Sequence, residues 1–366
     1  MVRWPIHMLR AGLIGLPSSG KTTLFQLLTS ARETAGHHGR TEANVGVSRV
    51  PDDRLEKLTT LFQPKQKVPA TVEFADMAAG RSEAKALLDV VAYRNADALL
   101  HVVRAFENDA VPHPQTTVDP ARDIRAVEDE LMLADLGIVE RRLERVGKDL
   151  MKKPSADLRA EQAVLERCHS ALESSEPLRT LELSDDDARK LRGFQLLSAK
   201  PLLLVINLDD ADASKTGDVN TLPAIGALTA ALGAAAVGVC ARVELEIADL
   251  EPADAAAFMA DFGLEQSGLD RVIRATYELL GYISFLTVGD DECRAWSIPR
   301  GTPALEAGGA IHSDIQRGFI RAEVVPWDVL LARETLAACR ERGELRLEGK
   351  EYEVADGDVI NFRHAT

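Results

Sequence analysis

The sequence predicts an α/β fold with a mostly parallel sheet, followed by a small β-rich domain. Three observations lead to this prediction. First, short apolar runs alternate with helical segments over 11–16, 70–77, 96–106, 200–208 and 234–241, a pattern typical of parallel strands covered on both faces. Second, a helical seam interrupts this pattern between about 121 and 195. Third, from about 281 short strand-like runs are separated by Gly, Asp and Pro turns.

Length, charge and cysteine content narrow the class of protein. With 366 residues the chain is too long for one ordinary core and predicts two or three domains. Its net charge of −15 argues against a general nucleic-acid coat and a DNA partner, but leaves room for a local basic patch. No apolar run reaches the roughly 18–20 residues that span a bilayer, so we expect no membrane partner. Scattered cysteines without a CxxC pair indicate reduced thiols in a cytoplasmic protein, which we expect to be a monomer.

The helical interruption has the pattern of two packed helices. Its first part carries apolar residues spaced three and four apart, at Leu136, Val139, Leu143, Val146 and Leu150. The stretch "KKPSAD" then breaks the helix, and "LRAEQAVLERCHSALESS" predicts a second one. We therefore expect an antiparallel hairpin at 121–195, inserted into a domain of 1–120 and 196–280, with a C-terminal domain at 281–366. An independent helical domain is less favoured, because strand-type sequence resumes at Pro201.

The octet "GLPSSGKT" at 15–22 fits the pattern G-x-x-x-x-G-K-[ST] and stands between a predicted strand and a predicted helix. Its glycines let backbone N–H groups face a phosphate, and the helix N-terminus adds a positive end. In this pattern Lys21 bridges the β- and γ-phosphates, and Thr22 ligates Mg²⁺. A carboxylate on the Mg²⁺ side is expected at the end of a neighbouring strand, where Asp76 closes "ATVEFAD".

These observations predict a P-loop NTPase domain of the G-domain type, with Mg²⁺ as its cofactor and ATP or GTP as its substrate. The predicted metal ligands are Thr22 and Asp76. The predicted phosphate-binding residues are Gly15, Leu16, Pro17, Ser18, Ser19, Gly20, Lys21, Thr22 and Thr23.

The apolar strand "LLLVINL" ends at the residues that would contact the base. Many P-loop GTPases have Asn-Lys-x-Asp here, where the Asp accepts two N–H groups of guanine and the Lys stem covers the ring. This chain has Asn207, Leu208, Asp209 and Asp210. Leu208 lacks the Lys charge but can still cover a base, and Asn207 can tie the loop together or meet the adenine amino group. The pattern favours ATP over GTP with weak discrimination. We expect the site to be completed by Cys240, Ala241 and Arg242.

Several segments of the chain together resemble a known family over nearly the full length. They are "GLPSSGKTTLF" at 15–25, "NVGVSRVPDDRL" at 44–55, "ADALLHVVRAFEND" at 96–109, "VDPARDI" at 118–124, "ELMLADL" at 130–136, "ARVELEIADL" at 241–250, "GLDRVIRATYELLGYISFLTVG" at 268–289, "CRAWSIPRGTPALEAGGAIHSDIQRGFIRAEV" at 293–324 and "LRLEGKEYEVADGDVINFR" at 345–363. The chain resembles the YchF family of Obg-type P-loop NTPases.

This resemblance implies a G-domain-like ATPase or GTPase with a coiled-coil hairpin and a C-terminal TGS domain, which is a β-grasp module. It also implies association with the ribosome or a ribosomal subunit, and hydrolysis of ATP more readily than GTP. The family is thought to use a histidine on a mobile loop for catalysis. In this chain the matching residue is His113, in "ENDAVPHPQTTVDP".

Two segments depart from the family pattern: the first switch, which precedes "NVGV", and the second switch, which follows Asp76 and in the family senses the γ-phosphate. The only threonine near "NVGV" is Thr41, one residue closer than in the family, and two histidines at 37–38 lie in the same segment. After Asp76 the second switch is shortened, and Ala79 takes the place of the Gly whose N–H would bind the γ-phosphate. An interaction module that binds nucleotide but hydrolyses little therefore stays open beside the NTPase. A small-molecule kinase is less favoured, because nothing resembles an Arg-rich lid.

The first arm of the predicted hairpin concentrates positive charge in an otherwise acidic chain. Its basic residues are Arg141, Arg142, Arg145, Lys148, Lys152 and Lys153. Such a cluster could contact ribosomal RNA phosphates. The alternative is a solvated helix face whose charges are balanced by acids on the other arm.

Overall fold

The computed structural model describes residues 10–30, 44–76, 90–222, 224–264 and 266–365. Of these, the residues within 9–47 and 73–276 form one compact unit, and those within 48–72 and 277–366 form another. In the described part of the chain the strands are β1 (Arg10–Ile14), β2 (Asn44–Arg49), β3 (Gln66–Val68), β4 (Thr71–Asp76), β5 (Ala98–Ala105), β6 (Leu202–Leu208), β7 (Ala235–Val239), β8 (Tyr282–Thr287), β9 (Glu292–Pro299), β10 (Phe319–Pro326), β11 (Arg346–Glu348) and β12 (Asp358–His364).

The helices of the described residues are α1 (Lys21–Ser30), α2 (Asp53–Phe62), α3 (Pro120–Lys152), α4 (Ala156–Glu173), α5 (Asp185–Leu191), α6 (Ile225–Ala231), α7 (Ala241–Ala248), α8 (Pro252–Asp261), α9 (Gly268–Leu279), α10 (Ala304–Ile311), α11 (Ser313–Arg317), α12 (Trp327–Arg333) and α13 (Leu336–Glu341). None of them is both long and apolar enough to cross a bilayer.

The first unit is built on a six-stranded sheet in the order β2-β4-β1-β5-β6-β7. The pairs of β1 with β4 and β5, of β5 with β6 and of β6 with β7 are all parallel. Every residue of β6 is buried, as expected for a strand covered on both faces. The predicted α/β class and the parallel sheet are therefore confirmed. Because β1, β4, β5 and β6 all run the same way, their carboxyl ends meet at one edge of the sheet.

Helix α3 belongs to two cores. Near its start, Ile124, Val127 and Leu131 are fully buried with apolar side chains of β5 and β6. Further along, Val139 and Val146 pack with residues of α4 in a separate apolar cluster. The three residues between Lys152 and Ala156 reverse the chain, and the side chain of Ser155 caps α4. The two helices therefore form the expected hairpin, but its base is part of the α/β core and 121–195 is not a separate unit.

Buried polar contacts hold the base of the hairpin to the rest of this unit. The carboxylate of Glu128 on α3 lies 2.7 Å from Nη1 of Arg179, and both side chains are almost completely buried. Two turns further along, Asp135 accepts hydrogen bonds from the backbone N–H groups of Leu197 and Ser198 and from the Ser198 hydroxyl. Because these contacts join residues far apart in the chain, they fix the first half of α3 against the segment that leads into β6.

The second unit contains another six-stranded sheet, in the order β11-β10-β12-β8-β9-β3. Its core contains Phe285 and Phe362 at the ring distance of an edge-to-face pair, together with Val324 and Ile360. The predicted β-rich C-terminal region is thus confirmed.

The boundaries of this second unit differ from the prediction. We expected 48–72 to lie in the α/β domain, but β3 pairs in parallel with β9, with Lys67 opposite Cys293. Helix α2 carries Arg54, whose guanidinium lies 2.8 Å from Asp356. An edge strand can pair with a strand far along the chain, and such a pairing leaves no local sequence signal.

The four cysteines, at positions 168, 240, 293 and 339, are all buried and free, as expected for reduced thiols. Burial raises the pKa of the Cys168 thiol to about 11.

Candidate nucleotide-binding site

The loop between β1 and α1 has the backbone geometry that a phosphate-binding loop requires. Gly15 and Gly20 have φ angles of +150° and +97°. A Cβ at Gly15 would lie 2.4 Å from the carbonyl oxygen of Val102, and one at Gly20 would lie 2.5 Å from Nδ2 of Asn207. Both positions therefore require glycine on steric as well as conformational grounds. Ser18, between them, also takes a left-handed conformation, with φ of +63°.

Lys21 is already folded back over this loop. Its Nζ donates hydrogen bonds of 2.7 Å to the carbonyl oxygens of Gly15 and Leu16. Burial lowers the pKa of Lys21, and the nearby carboxylate of Asp76 works in the opposite direction. The ammonium group is thus positioned by backbone oxygens rather than left to sample solvent.

Asp76 closes β4 directly beside the loop. It lies opposite Leu13 of β1 in the parallel register and is buried. Burial raises its pKa, while the charge of Lys21 and a hydrogen bond from the Thr22 hydroxyl lower it. The structure therefore brings together the two predicted metal ligands, Thr22 and Asp76, and the lysine between the loop and the strand.

These residues fit a magnesium–nucleotide complex. A hydroxyl and one carboxylate are hard oxygen donors of the kind that Mg²⁺ uses together with substrate phosphates. No cluster of three or more His, Cys, Asp or Glu side chains suited to a metal is found within the described residues, so a metal here would depend on the nucleotide for further ligands. Among the residues that the structure describes, the buried hydroxyl of Ser19 in this loop has no hydrogen-bond partner. An orphaned donor at this position fits a phosphate oxygen.

Asn207, at the carboxyl end of β6, ties three segments together. Its Nδ2 donates to the carbonyl oxygen of Ser19 at 3.1 Å, and its Oδ1 accepts from the backbone N–H of Ala241 at 3.0 Å. Asn207 is only 4% exposed in this position. Of the two roles open for Asn207, the structure therefore shows the tie between the phosphate loop and the β7–α7 turn.

The other base-site candidates lie around the same strand end. Leu208 is 5% exposed and packs in the core of the sheet, so little of its side chain is available to a base. Asp210 is partly exposed, and its carboxylate lies 3.2 Å from Nη1 of Arg242 at the start of α7. A hydrogen bond from Asp209 and the charge of Arg242 hold the pKa of Asp210 below its usual value. Cys240 is buried and precedes α7 as its N-cap residue.

Two residues of the same region carried no sequence prediction. Arg104 lies opposite Asn207 in the β5–β6 register and is 2% exposed. Its guanidinium carbon lies 4.6 Å from the centre of the Phe106 ring, a cation–π distance. Ala105, the last residue of β5, lies opposite Leu208 of β6, and the partly exposed Phe106 comes directly after it. An aromatic residue just beyond a strand end is the signal in "VVRAFEND" that could have identified it.

His113 lies in a buried position, although its neighbours in the chain are exposed. Its Nε2 lies 2.8 Å from Oδ2 of Asp123 on α3, and its Nδ1 accepts a hydrogen bond from the backbone N–H of Gln115 at 3.1 Å. The side chain is 3% exposed. The histidine that matches the family's catalytic loop residue is therefore buried here, with both ring nitrogens in hydrogen bonds. Asp123 was not singled out from the sequence.

The switch residues that depart from the family pattern, Thr41, the histidines at 37–38 and Ala79, lie outside the described residues. The other predicted residues of the phosphate loop, Pro17 and Thr23, lie in the described loop and first turn of α1.

The basic arm of the hairpin is partly neutralised. Arg142 lies 2.6 Å from Glu161 of α4, and Lys148 lies 2.5 Å from Glu144 on its own helix. Within the described chain, no ion pair is formed by the remaining four basic residues, which are Arg141, Arg145, Lys152 and Lys153. They are exposed, and next to them Met151 is 88% exposed at the end of α3.

Known proteins resemble this chain over almost its whole length. A "Ribosome-binding ATPase YchF" from Bacillus subtilis (strain 168) is 42% identical over 362 residues, which cover 97% of this chain and 99% of that protein. A protein of the same name from Escherichia coli O157:H7 is 39% identical, with coverages of 96% and 98%. The family model "YchF-GTPase_C: Protein of unknown function (DUF933)" matches residues 282–365.

A solved structure agrees with the same comparison. The structure of the Schizosaccharomyces pombe YchF GTPase superposes with a TM-score of 0.87 and 28% sequence identity, and covers 98% of this chain and 99% of that one.

Proposed function

The chain belongs to the YchF family, and we therefore propose that it binds and hydrolyses a nucleoside triphosphate, with ATP preferred over GTP, and that it binds the ribosome in a nucleotide-dependent way. The observation that carries the nucleotide part is the loop from Gly15 to Thr22, whose lysine and threonine face the carboxylate of Asp76. A protein with these tasks would act in the cytoplasm.

The phosphates would bind in the loop, and Lys21 would then contact them instead of the loop's carbonyl oxygens. Its ammonium would exchange two carbonyl oxygens for the β- and γ-phosphate oxygens, which carry full charge and make stronger hydrogen bonds. The hydroxyl of Thr22 and the carboxylate of Asp76 would hold Mg²⁺, which supplies charge neutralisation of the phosphates when bound. The backbone N–H groups and the α1 N-terminus would position the chain of phosphates.

The base would lie next to the end of β6. The Phe106 ring, held against Arg104, offers it an apolar face. Asp210 would accept the two N–H groups of guanine only if its contact with Arg242 gave way, because that ion pair already uses the carboxylate. This competition supports the preference for ATP. Competitive binding of ATP against GTP tests it, and a tenfold or greater preference for GTP would contradict the proposal.

Hydrolysis would use His113 to position or activate the attacking water. A general base must come within about 2.6–3.2 Å of the water, directly or through one water molecule. In the arrangement described above both ring nitrogens of His113 are engaged, so the ring would first have to leave its pocket.

Single-turnover hydrolysis with saturating ATP tests the enzyme proposal. We expect the Lys21→Ala variant to lose most of the rate, because the lysine is the charge nearest the transferred phosphate. The Lys215→Ala variant, which removes an exposed lysine, is the control and should hydrolyse ATP normally. A wild-type rate equal to that of Lys21→Ala would instead favour an interaction module that binds nucleotide with little hydrolysis.

The exposed basic residues at the end of the hairpin are the surface that we propose for ribosomal RNA. Ribosome pelleting with ATP, with ADP and without nucleotide tests the partner and its coupling; equal pelleting in all three would remove the coupling. Replacing Lys152 and Lys153 together by Glu should reduce pelleting severalfold and weaken its salt dependence. The Arg192→Glu variant reverses the charge of another exposed arginine, outside the cluster of six basic residues, and is the control.

A further inference from the structure

The segment 107–116 has a single buried side chain, that of His113. Apart from His113, every residue in it is exposed or only partly buried. His113 is buried, and its contact with Asp123 joins the segment to the first turn of α3. A segment with a single buried side chain depends on that side chain for its position.

The hydrogen bonds of His113 define what each ring nitrogen does. Because a backbone N–H group of Gln115 donates to Nδ1, the ring proton is on Nε2 and is donated to Asp123. The contact with Gln115 lies within the segment and would move with it, whereas the contact with Asp123 joins the segment to α3. Release of His113 therefore requires the bond to Asp123 to break.

Asp123 itself lies on the fixed side of this contact. The next residue, Ile124, is fully buried in the core of the sheet, and one turn later Glu128 is paired with the buried Arg179. The Oδ1 of Asp123 also accepts from Nε and Nη2 of Arg122, at 3.0 and 2.8 Å. The helix would therefore stay in place while the segment moves.

The backbone of the segment favours release. Thr116 has a φ angle of +68°, in the left-handed region that a β-branched residue rarely adopts. Its N–H donates to the carbonyl oxygen of His113, so the strained turn persists while His113 is held. Beyond it, Arg122 donates to the hydroxyl and carbonyl of Thr117, which makes the junction with α3 a stationary end.

From these contacts we infer that Asp123 is a positioning residue. It holds His113 in an inactive position, in which the ring cannot act on the attacking water, until the segment 107–116 is released. This inference rests on the proposed function, and it adds a regulatory step to the same site. Breaking the contact becomes part of the barrier to hydrolysis, so that a ligand or partner that frees the segment accelerates the reaction. Asp123 acts only through His113.

The test replaces Asp123 by Asn, which keeps the shape and removes the charge. Loss of a charge-assisted hydrogen bond of this kind is worth about a three- to tenfold change in the release equilibrium. We expect kcat for ATP to rise by that factor with little change in KM, and amide exchange of Gln115 and Thr116 to accelerate. In the His113→Ala background the Asp123→Asn substitution should leave kcat unchanged.

The Asp119→Asn variant removes a carboxylate from the same helix start but keeps a good N-cap residue, so it should behave as wild type. Unchanged exchange at Gln115 and Thr116 in the Asp123→Asn variant would overturn the inference. A fall in kcat would overturn it too, because Asp123 would then hold His113 in its active position. If His113→Ala were as active as wild type, the catalytic role of His113 would fail, whereas the exchange result would still report separately on the contact.

Discussion

The side chain of Asn207 joins two distant segments of the candidate site. It bonds to the phosphate loop through Ser19 and to the start of α7 through Ala241, and it also lies where a Cβ at Gly20 would clash. A residue that completes two buried hydrogen bonds between distant segments contributes to folding and to ligand binding together.

We expect the Asn207→Ala variant to be destabilised by about 2–3 kcal/mol, because it leaves a buried carbonyl and a buried N–H without partners. Nucleotide affinity should fall as well, since the loop loses its support. Urea unfolding and ATP titration measure the two effects. Asn220→Ala removes an exposed side chain and should change neither; unaltered stability in Asn207→Ala would mean that water replaces both bonds.

The ion pair between Asp210 and Arg242 allows a prediction about base selectivity. Removing the carboxylate in Asp210→Ala takes away the acceptor that guanine needs but nothing that adenine uses. We expect the Kd for GTP to rise at least about fivefold and that for ATP to change less than twofold. Competitive titration measures the ratio; equal weakening of both nucleotides would show that Asp210 acts through the shape of the loop.

At the scale of elements, α3 is the helix that links the α/β core to the hairpin. Its buried pair of Glu128 and Arg179 sits where the two cores meet, and Arg179 also donates to the carbonyl oxygen of Lys200 at 2.9 Å. Buried pairs add little net stability compared with apolar replacements, but breaking one leaves an uncompensated charge.

The Glu128→Gln variant should therefore lose about 3 kcal/mol of unfolding free energy, because the buried guanidinium of Arg179 keeps its charge without a carboxylate. Chemical unfolding followed by circular dichroism measures the loss. The same substitution at Glu144, an exposed residue on the same helix, is the matched control and should have little effect. A loss no larger than that of Glu144→Gln would indicate that solvent reaches Arg179.

At the scale of the whole molecule, a buried histidine sets a limit on acid stability. His101 on β5 is 1% exposed, and within the described residues its Nδ1 has no hydrogen-bond partner. Burial, and then the charges of Lys21 and Arg179, lower its pKa from 6.5 to about 3. The unfolded chain thus binds a proton at a higher pH than the folded chain does.

The sign of the pH effect follows from these two values. The contribution of His101 to stability is fully present above pH 6.5 and is lost as the pH falls toward about 3. At about 1.4 kcal/mol per pH unit, roughly 2 kcal/mol disappears between pH 6.5 and 5. Urea unfolding at several pH values should show a correspondingly smaller slope in His101→Leu.

The matched control for this prediction is His169→Gln. His169 is partly exposed on α4, near the carboxylates of Glu140 and Glu173, and its removal should leave the acid loss between pH 6.5 and 5 in place. An undiminished loss in His101→Leu would assign the acid sensitivity to another group.

Much of the architecture was predictable because its signals are local. Apolar runs identified the parallel strands, and three- and four-residue spacing identified α3 and α4. The phosphate loop was recognisable because two glycines, a lysine and a threonine at fixed spacing are needed by one short piece of backbone.

What the sequence by itself determined is therefore the α/β class, the phosphate loop and the family. Only the tertiary structure decided that β3 joins the C-terminal sheet, that Asn207 bonds to the phosphate loop, and that Asp123 bonds to His113. Each of these contacts joins segments separated in the chain, and the side chains involved satisfy partners that no local pattern reveals. Local rules reach only as far as neighbouring residues, whereas burial and pairing are settled when the segments pack together.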